Sequence, residues 1–169
     1  MRIAEIEAGS RRSAFAPLDA APLLAEVVEV YGAVAEEKGI VLSVQSPAPL
    51  PIYGDRELIQ QAVANLVDNA VKFSPPDSAV RLFATFTPAR LDIAVADQGP
   101  GIPQADQARA TERFFRGERA RNTPGSGLGL ALVNAVAQLH GGSLSLAAAN
   151  PGLVATLSLP VQQEPAQSG

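Results

Sequence analysis

Apolar and polar positions alternate with two different periods along this chain of 169 residues. Between Pro22 and Lys38 the apolar residues recur every three or four positions, which predicts a helix with one buried face. Pro22 suits the first helical turn, and Gly39 suits the position just past the helix end. The predicted apolar face consists of Leu23, Leu24, Val27, Val28, Tyr31 and Val34.

The same helical period occurs in two later segments. One is predicted to run from an N-cap at Asp55 to about Phe73, where Pro75-Pro76 ends it. The other spans Leu128–His140 and ends before Gly141-Gly142. The core-facing positions of the Asp55–Phe73 helix are predicted to be Ile59, Ala62, Leu66 and Ala70.

Five segments alternate with a period of two and are predicted to be strands. They are Ile40–Ser46, Ala79–Thr87, Arg90–Asp97, Gly142–Ala149 and Leu153–Pro160. The predicted fold is an α/β two-layer sandwich of the α+β class, in which a mixed or antiparallel sheet of about five strands carries three main helices on one face. The weakly patterned stretch between residues 99 and 125 is too long for an ordinary loop, and it indicates either a functional lid or a mistaken assignment of the elements.

Composition narrows the possible functions. A net charge of −4 gives no electrostatic footprint for nucleic acid, and the absence of cysteine excludes disulfides and zinc–thiolate sites. There is a single histidine, so a histidine-built metal site is not expected. Neither an export signal nor an apolar run of about 18 residues is present, so we expect a cytoplasmic domain without direct membrane insertion.

The second predicted helix carries a polar stripe beside its apolar face. At 100° per residue, Asn65, Asn69 and Lys72 fall within about 60° of one another. Amide oxygens are ligands that Mg²⁺ accepts together with water and phosphate oxygens, and a lysine can meet a phosphate as a point charge. The alternative is the solvated face of an ordinary amphipathic helix.

Two glycine-containing segments add further candidate chemistry. Asp97 lies at a strand exit, and Gly99 and Gly101 would let the backbone approach a flat base closely; a plain turn is the alternative. In the segment Gly125–Gly129, glycines alternate with Ser126 and Leu128 before a helix, where free N–H groups make an anion site. No Gly-Lys-Ser/Thr follows, so this is not a Walker loop.

Taken together, these motifs resemble the catalytic ATP-binding domain of bacterial sensor histidine kinases, within the GHKL superfamily. Asn65–Phe73 is similar to the N box, Asp97–Gly101 to the G1 box, Glu112–Arg116 to the F box and Gly125–Leu130 to the G2 box. The resemblance implies a Bergerat fold over residues 18–160. It also implies that residues 1–17 are the partial tail of a preceding dimerisation helix, although a disordered terminus is equally compatible with their pattern. Residues 161–169 are expected to be a disordered tail.

The resemblance implies roles for individual residues. Asn69, helped by Asn65, would hold Mg²⁺ on the ATP triphosphate, while Lys72 touches phosphate and Asp97 reads the adenine amine. Arg113 and Arg116 would neutralise phosphate charge, and Phe114 would anchor a lid that spans Ile102–Pro124. The loop residues implied in nucleotide binding are Gly99, Gly101, Ile102, Gly125, Ser126, Gly127, Leu128 and Gly129.

Asn65 also indicates the branch of the superfamily. Hydrolysing relatives resemble one another in a glutamate at this place, and an amide cannot act as a general base. A kinase whose acceptor is an already nucleophilic imidazole is therefore favoured. Catalysis would then consist of positioning the γ-phosphoryl group and neutralising its charge. A nucleotide-sensing pseudo-kinase and a GHKL-type ATPase are the alternatives.

The acceptor itself is not expected in this chain. His140 stands at a predicted helix end before two glycines, where a cap or a partner of the helix dipole is the expected role. The implied partners are a histidine-bearing dimerisation hairpin of the parent kinase and a downstream response regulator. The parent protein is compatible with an anchor in the inner membrane.

Overall fold

The computed structural model describes residues 15–99, 129–149 and 152–161. Within these ranges three helices are present, α1 (Ala20–Glu37), α2 (Arg56–Phe73) and α3 (Gly129–Leu139). The strands of the same ranges are β1 (Ala16–Asp19), β2 (Val41–Gln45), β3 (Pro51–Gly54), β4 (Ala79–Phe86), β5 (Arg90–Ala96), β6 (Ser143–Ala148) and β7 (Leu153–Pro160). No helix in these ranges has the length and apolarity needed to cross a bilayer.

Five of the strands form one mixed sheet in the order β2-β4-β5-β7-β6. The β2–β4 pair is parallel and the other three pairs are antiparallel. Every second residue of β7 is buried, as expected for a sheet that is covered on one side. The predicted two-layer sandwich with three helices and a mixed five-stranded sheet is confirmed, and its strands end within two residues of the predicted bounds.

The central helix of the helical layer is α2, which packs between α1 and α3 and against β4 and β5. Its buried residues recur at helical spacing along its whole length, and the predicted core positions are among them. They are Leu58, Ile59, Ala62, Val63, Leu66, Val67, Ala70 and Val71. Because α2 is held on so many sides, the polar stripe on its remaining face has a fixed position.

The first predicted helix differs from the observed α1 at both ends. The observed α1 begins at Ala20, two residues before Pro22, because the Asp19 side chain accepts a hydrogen bond from Ala21 N at 3.0 Å and so acts as the N-cap. Val34 was predicted to be buried but is 48% exposed. The next residue, Ala35, is 1% exposed, so the buried face of α1 at this end includes Ala35, and Val34 lies beside that face.

A second, two-stranded sheet was not predicted. β1 pairs antiparallel with β3, and Leu18 lies opposite Ile52. The predicted boundary between residues 17 and 18 falls inside β1. Most of the two predicted tails, residues 1–14 and 162–169, and the predicted lid at residues 102–124 lie outside the described residues.

Candidate active site

The C-terminal turn of α2 is held by hydrogen bonds from two directions. The main-chain carbonyl of Ala70 accepts from Ser74 N at 3.1 Å and from Ser74 Oγ at 2.7 Å. Lys38 Nζ, from the turn after α1, donates to Val71 O at 2.9 Å and to Lys72 O at 2.7 Å. Carbonyls at a helix end have no partner within the helix, so these bonds stabilise the turn that carries Lys72.

Lys38 was not identified from the sequence. A lysine in front of Gly39 at the end of a helix is typical of a cation that interacts with the carbonyls of its own helix. Its observed acceptors belong instead to α2, 33 and 34 residues further along the chain. No local pattern contains that information.

The same helix end lies directly against the segment that follows β5. A Cβ atom built on Gly99 would lie 2.3 Å from the main-chain oxygen of Phe73, so a side chain at position 99 would collide with α2. The close approach observed at Gly99 is to the end of α2, and the predicted approach to a base stays a prediction. This contact brings the end of α2 against the segment Asp97–Gly99.

Asp97 is fixed just beyond the end of β5. The residue is 4% exposed, and its Oδ1 accepts hydrogen bonds from Gly99 N at 2.9 Å and Leu153 N at 3.2 Å. Its own N–H donates to Leu153 O at 3.0 Å. These bonds fix the orientation of a carboxylate, and a fixed carboxylate can accept a hydrogen bond from an exocyclic amine.

Gly152 supports Asp97 and was missed in the sequence. Its φ angle of +106° favours glycine, and a Cβ atom would lie 1.9 Å from Asp97 O. The only signal was the Asn-Pro-Gly sequence before the last strand, which indicates a turn. A turn signal does not say which distant backbone the turn packs against.

The polar stripe of α2 presents two carboxamides and an ammonium. Asn65 and Asn69 are half-buried, and neither side chain hydrogen bonds to any other residue that the structure describes. Two such amides one helical turn apart fit a Mg²⁺ ion that keeps most of its ligands as water and phosphate oxygens. Lys72 Nζ forms an ion pair with Asp68 Oδ2 at 3.0 Å.

The structure thus places some of the predicted site residues and not others. Asn65, Asn69 and Lys72 lie on α2, whose end meets the Asp97–Gly99 segment. Gly129 is the first residue of α3, which packs on α2. The remaining predicted site residues lie outside the described ranges: Gly101, Ile102, Arg113, Phe114, Arg116, Gly125, Ser126, Gly127 and Leu128.

His140 has the structural role predicted for it. It is 2% exposed, and its Nδ1 lies 2.8 Å from Val136 O, one turn back in α3. Its Nε2 accepts a hydrogen bond from Asp55 N at 3.1 Å, and the ring stacks on Phe15 with centroids 4.6 Å apart. Since Nε2 is an acceptor, Nδ1 carries the proton and the ring is neutral. The bond to Asp55 joins the end of α3 to the start of α2.

Comparison with known proteins agrees with this geometry. A family model described as "Histidine kinase-, DNA gyrase B-, and HSP90-like ATPase" matches residues 54–163. The sensor-like histidine kinase SenX3 of Mycobacterium tuberculosis is 36% identical over 163 residues, which are 95% of this chain and 40% of SenX3.

Two solved structures share both the fold and substantial sequence identity with this chain. The mycobacterial sensor histidine kinase MprB superimposes with a TM-score of 0.79 at 35% identity, over 88% of this chain and all of that one (100%). Full-length ShkA in complex with AMPPNP gives a TM-score of 0.78 at 29% identity, over 98% of this chain and 36% of ShkA. The chain therefore belongs to the histidine kinase-, DNA gyrase B- and HSP90-like ATPase family, and within it to the catalytic domains of sensor histidine kinases.

Proposed function

We propose that this domain binds Mg–ATP where the end of α2 meets the Asp97–Gly99 segment, and donates the γ-phosphoryl group to a histidine on a separate helical hairpin of its parent kinase. The observation that carries the proposal is the contact between Gly99 and the Phe73 carbonyl. It brings the end of the helix that carries Asn65, Asn69 and Lys72 against the segment that carries Asp97, which supports one site formed by both. These are the groups needed at the two ends of a nucleotide.

At the base end, Asp97 accepts a hydrogen bond from the adenine amine. Two backbone N–H groups already orient its Oδ1, at 2.9 and 3.2 Å, so binding of the base costs little side-chain conformational entropy at Asp97. Gly99, Gly101 and Ile102 form the backbone beside the base. A guanine carries a carbonyl in place of this amine, so the carboxylate selects adenine.

At the phosphate end, Asn69 and Asn65 hold Mg²⁺ on the triphosphate. A bound Mg²⁺ supplies positive charge to the phosphate oxygens. Lys72, Arg113 and Arg116 neutralise the remaining phosphate charge, and Phe114 anchors the lid. The glycine-rich Gly125–Gly129 segment, with Ser126 and Leu128, offers backbone N–H groups at the start of α3.

The transfer step requires no general base from this domain. A neutral imidazole nitrogen of the acceptor attacks the γ-phosphorus, the bond from that phosphorus to the β,γ-bridging oxygen breaks, and its electron pair leaves with ADP. The product is a phosphohistidine on the hairpin. Asn65 is consistent with this chemistry, because a carboxamide cannot activate water for hydrolysis.

The wider context is also proposed. The chain spans 40% of SenX3, so we infer that it acts as one domain of a longer sensor kinase in the cytoplasm. The hairpin of that parent and a downstream response regulator are its protein partners. The net charge of −4 argues against a nucleic acid partner.

The proposed binding of Mg–ATP is tested by calorimetry with ATP, with and without Mg²⁺. Replacing Asn69→Ala removes a metal ligand and should weaken Mg–ATP binding by roughly tenfold or more, about 1.4 kcal/mol. Gln60→Ala is the matched control, because it removes a carboxamide from the first turns of the same helix, where its partners are Glu26 and Arg56. Equal isotherms for the wild type and Asn69→Ala would count heavily against the site.

The proposed transfer of the γ-phosphoryl group is tested with labelled ATP and a separately produced hairpin. We expect label on the hairpin histidine and none on this chain. Nucleotide binding without transfer would indicate a pseudo-kinase, and steady phosphate release without an acceptor would indicate an ATPase. Stable label on His140 would overturn the claim that this domain lacks the acceptor.

A further inference from the structure

The ion pair between Lys72 and Asp68 has no part in the nucleotide chemistry described so far. The geometry points to Asp68 as a positioning residue, which holds Lys72 Nζ on the α1 side of the polar stripe until a triphosphate draws it across. The inference rests on the proposed function, since it concerns the same phosphate end of the site. It assigns a role to a carboxylate that binds neither the nucleotide nor the metal.

The order of side chains around α2 supports this role. At 100° per residue, Lys72 lies between its neighbours, about 40° from Asp68 on one side and about 60° from Asn69 on the other. Asp68 lies toward α1, because it is displaced around the helix in the same direction as Gln60, whose Nε2 donates to Glu26 Oε2 of α1 at 3.3 Å. In agreement with this placement, burial and then the negative charge of Asp68 raise the pKa of Tyr31 on α1. The bond from Lys72 Nζ to Asp68 Oδ2, at 3.0 Å, therefore points the ammonium away from Asn69.

The main chain of Lys72 is fixed while its side chain is free to exchange partners. Lys38 Nζ holds Lys72 O at 2.7 Å, so the helix turn stays in place. The ion pair is 41% exposed at the lysine and 31% at the aspartate, and pairs this exposed are weak. A triphosphate carries several negative charges and offers stronger, charge-assisted bonds, so it can take the ammonium from Asp68.

Asp68 therefore opposes triphosphate binding in two ways. It competes for the ammonium of Lys72, and its own charge repels the phosphates. Neutralising it as Asp68→Asn should strengthen ATP binding, which is the opposite of what loss of a ligand-contacting residue would do. Adenosine has no phosphate, so its affinity should be unaffected.

The test is a calorimetric cycle on the wild type, Asp68→Asn, Lys72→Met and the double variant, each titrated with Mg–ATP and with adenosine. We expect Asp68→Asn to bind ATP about two- to fivefold more tightly, as the release of a weak ion pair allows. The gain should largely disappear in the Lys72→Met background. Asp92→Asn is the matched control, since it breaks a similar pair with Arg90, at 3.1 Å, at the far end of β5.

Several outcomes would overturn the inference. One is unchanged or weaker ATP binding by Asp68→Asn. Another is an equal gain in ATP affinity when Asp68→Asn is combined with Lys72→Met. A third is tighter adenosine binding by Asp68→Asn. Asp68→Glu, which retains a carboxylate at the same spacing, should bind ATP within about twofold of the wild type. If Asp68→Asn loses helical content, Asp68→Ser serves as the neutral variant. A wild-type domain that fails to bind ATP would refute the proposed function instead.

Discussion

Replacing Asp97 by asparagine should separate the ligand role of this residue from its structural role. In the wild type, Oδ1 accepts hydrogen bonds from Gly99 N and Leu153 N, at 2.9 and 3.2 Å. The side-chain oxygen of an asparagine can keep both bonds. The second oxygen becomes an NH₂ group, which cannot accept a hydrogen bond from the adenine amine. The fold should therefore persist while the base loses its acceptor.

The magnitude follows from the charge on the acceptor. A hydrogen bond to a charged group contributes about 1.5 to 3 kcal/mol, so Asp97→Asn should weaken ATP binding by about 10- to 150-fold. Asp97→Ala also removes the acceptor of two backbone N–H groups at a site that is 4% exposed. Leaving such donors unsatisfied costs about 1 to 3 kcal/mol, which lowers the melting temperature by about 2 to 12 °C.

The assay combines calorimetry with thermal unfolding. Asp97→Asn should melt close to the wild type and lose ATP affinity, whereas Asp97→Ala should lose both. The preference for ATP over GTP should shrink in Asp97→Asn, because its NH₂ group can donate to the guanine carbonyl. Wild-type ATP affinity in Asp97→Asn would refute the assignment of this carboxylate as the base reader. A melting temperature as low as that of Asp97→Ala would show that its role is structural.

Two further substitutions test the contacts that build the site. Gly152→Ala should destabilise the fold and lower ATP affinity, because its Cβ would lie 1.9 Å from Asp97 O. Its control is Gly32→Ala in α1, where the space is open, and this change should increase the free energy of unfolding by up to about 1 kcal/mol, measured by thermal unfolding. Lys38→Met removes two hydrogen bonds from the end of α2 and should cost about 1 to 2 kcal/mol, measured by urea unfolding, with Lys38→Arg retaining most of the stability. Arg56→Met breaks an exposed ion pair with Glu26 and should change stability by less than about 0.5 kcal/mol. If Arg56→Met lost as much stability as Lys38→Met, the role of Lys38 would be contradicted.

The sequence was informative wherever the determinants of structure are local. The cap of α2 is an example, because Asp55 accepts a hydrogen bond from Leu58 N at 3.1 Å, only three residues away. The helix end was marked by two prolines, and the polar stripe followed from helical spacing alone. Asp97 was likewise recognisable as the residue after an alternating strand. These are the residues that carry the proposed chemistry.

The β1–β3 pair was not predictable in the same way. Each strand has four residues, too few for alternation to be distinguished from chance. Both contain a proline, which argues against a strand except at an edge. Their partners lie more than 30 positions apart, with Ala16 opposite Gly54. Lys38 and Gly152 were missed for the same reason, since their partners are also distant in the chain.

The positions of the site segments depend on the two ends of one helix. At its start, the N–H of the capping residue Asp55 donates to His140, the residue after α3, at 3.1 Å. At its other end, Lys38 bonds two carbonyls and Gly99 packs on a third. Substitutions at these end contacts should therefore change stability and nucleotide affinity together. Asp97→Asn and Asp68→Asn should change affinity alone, and in opposite directions, because they alter what the assembled site presents to the ligand and leave its framework in place.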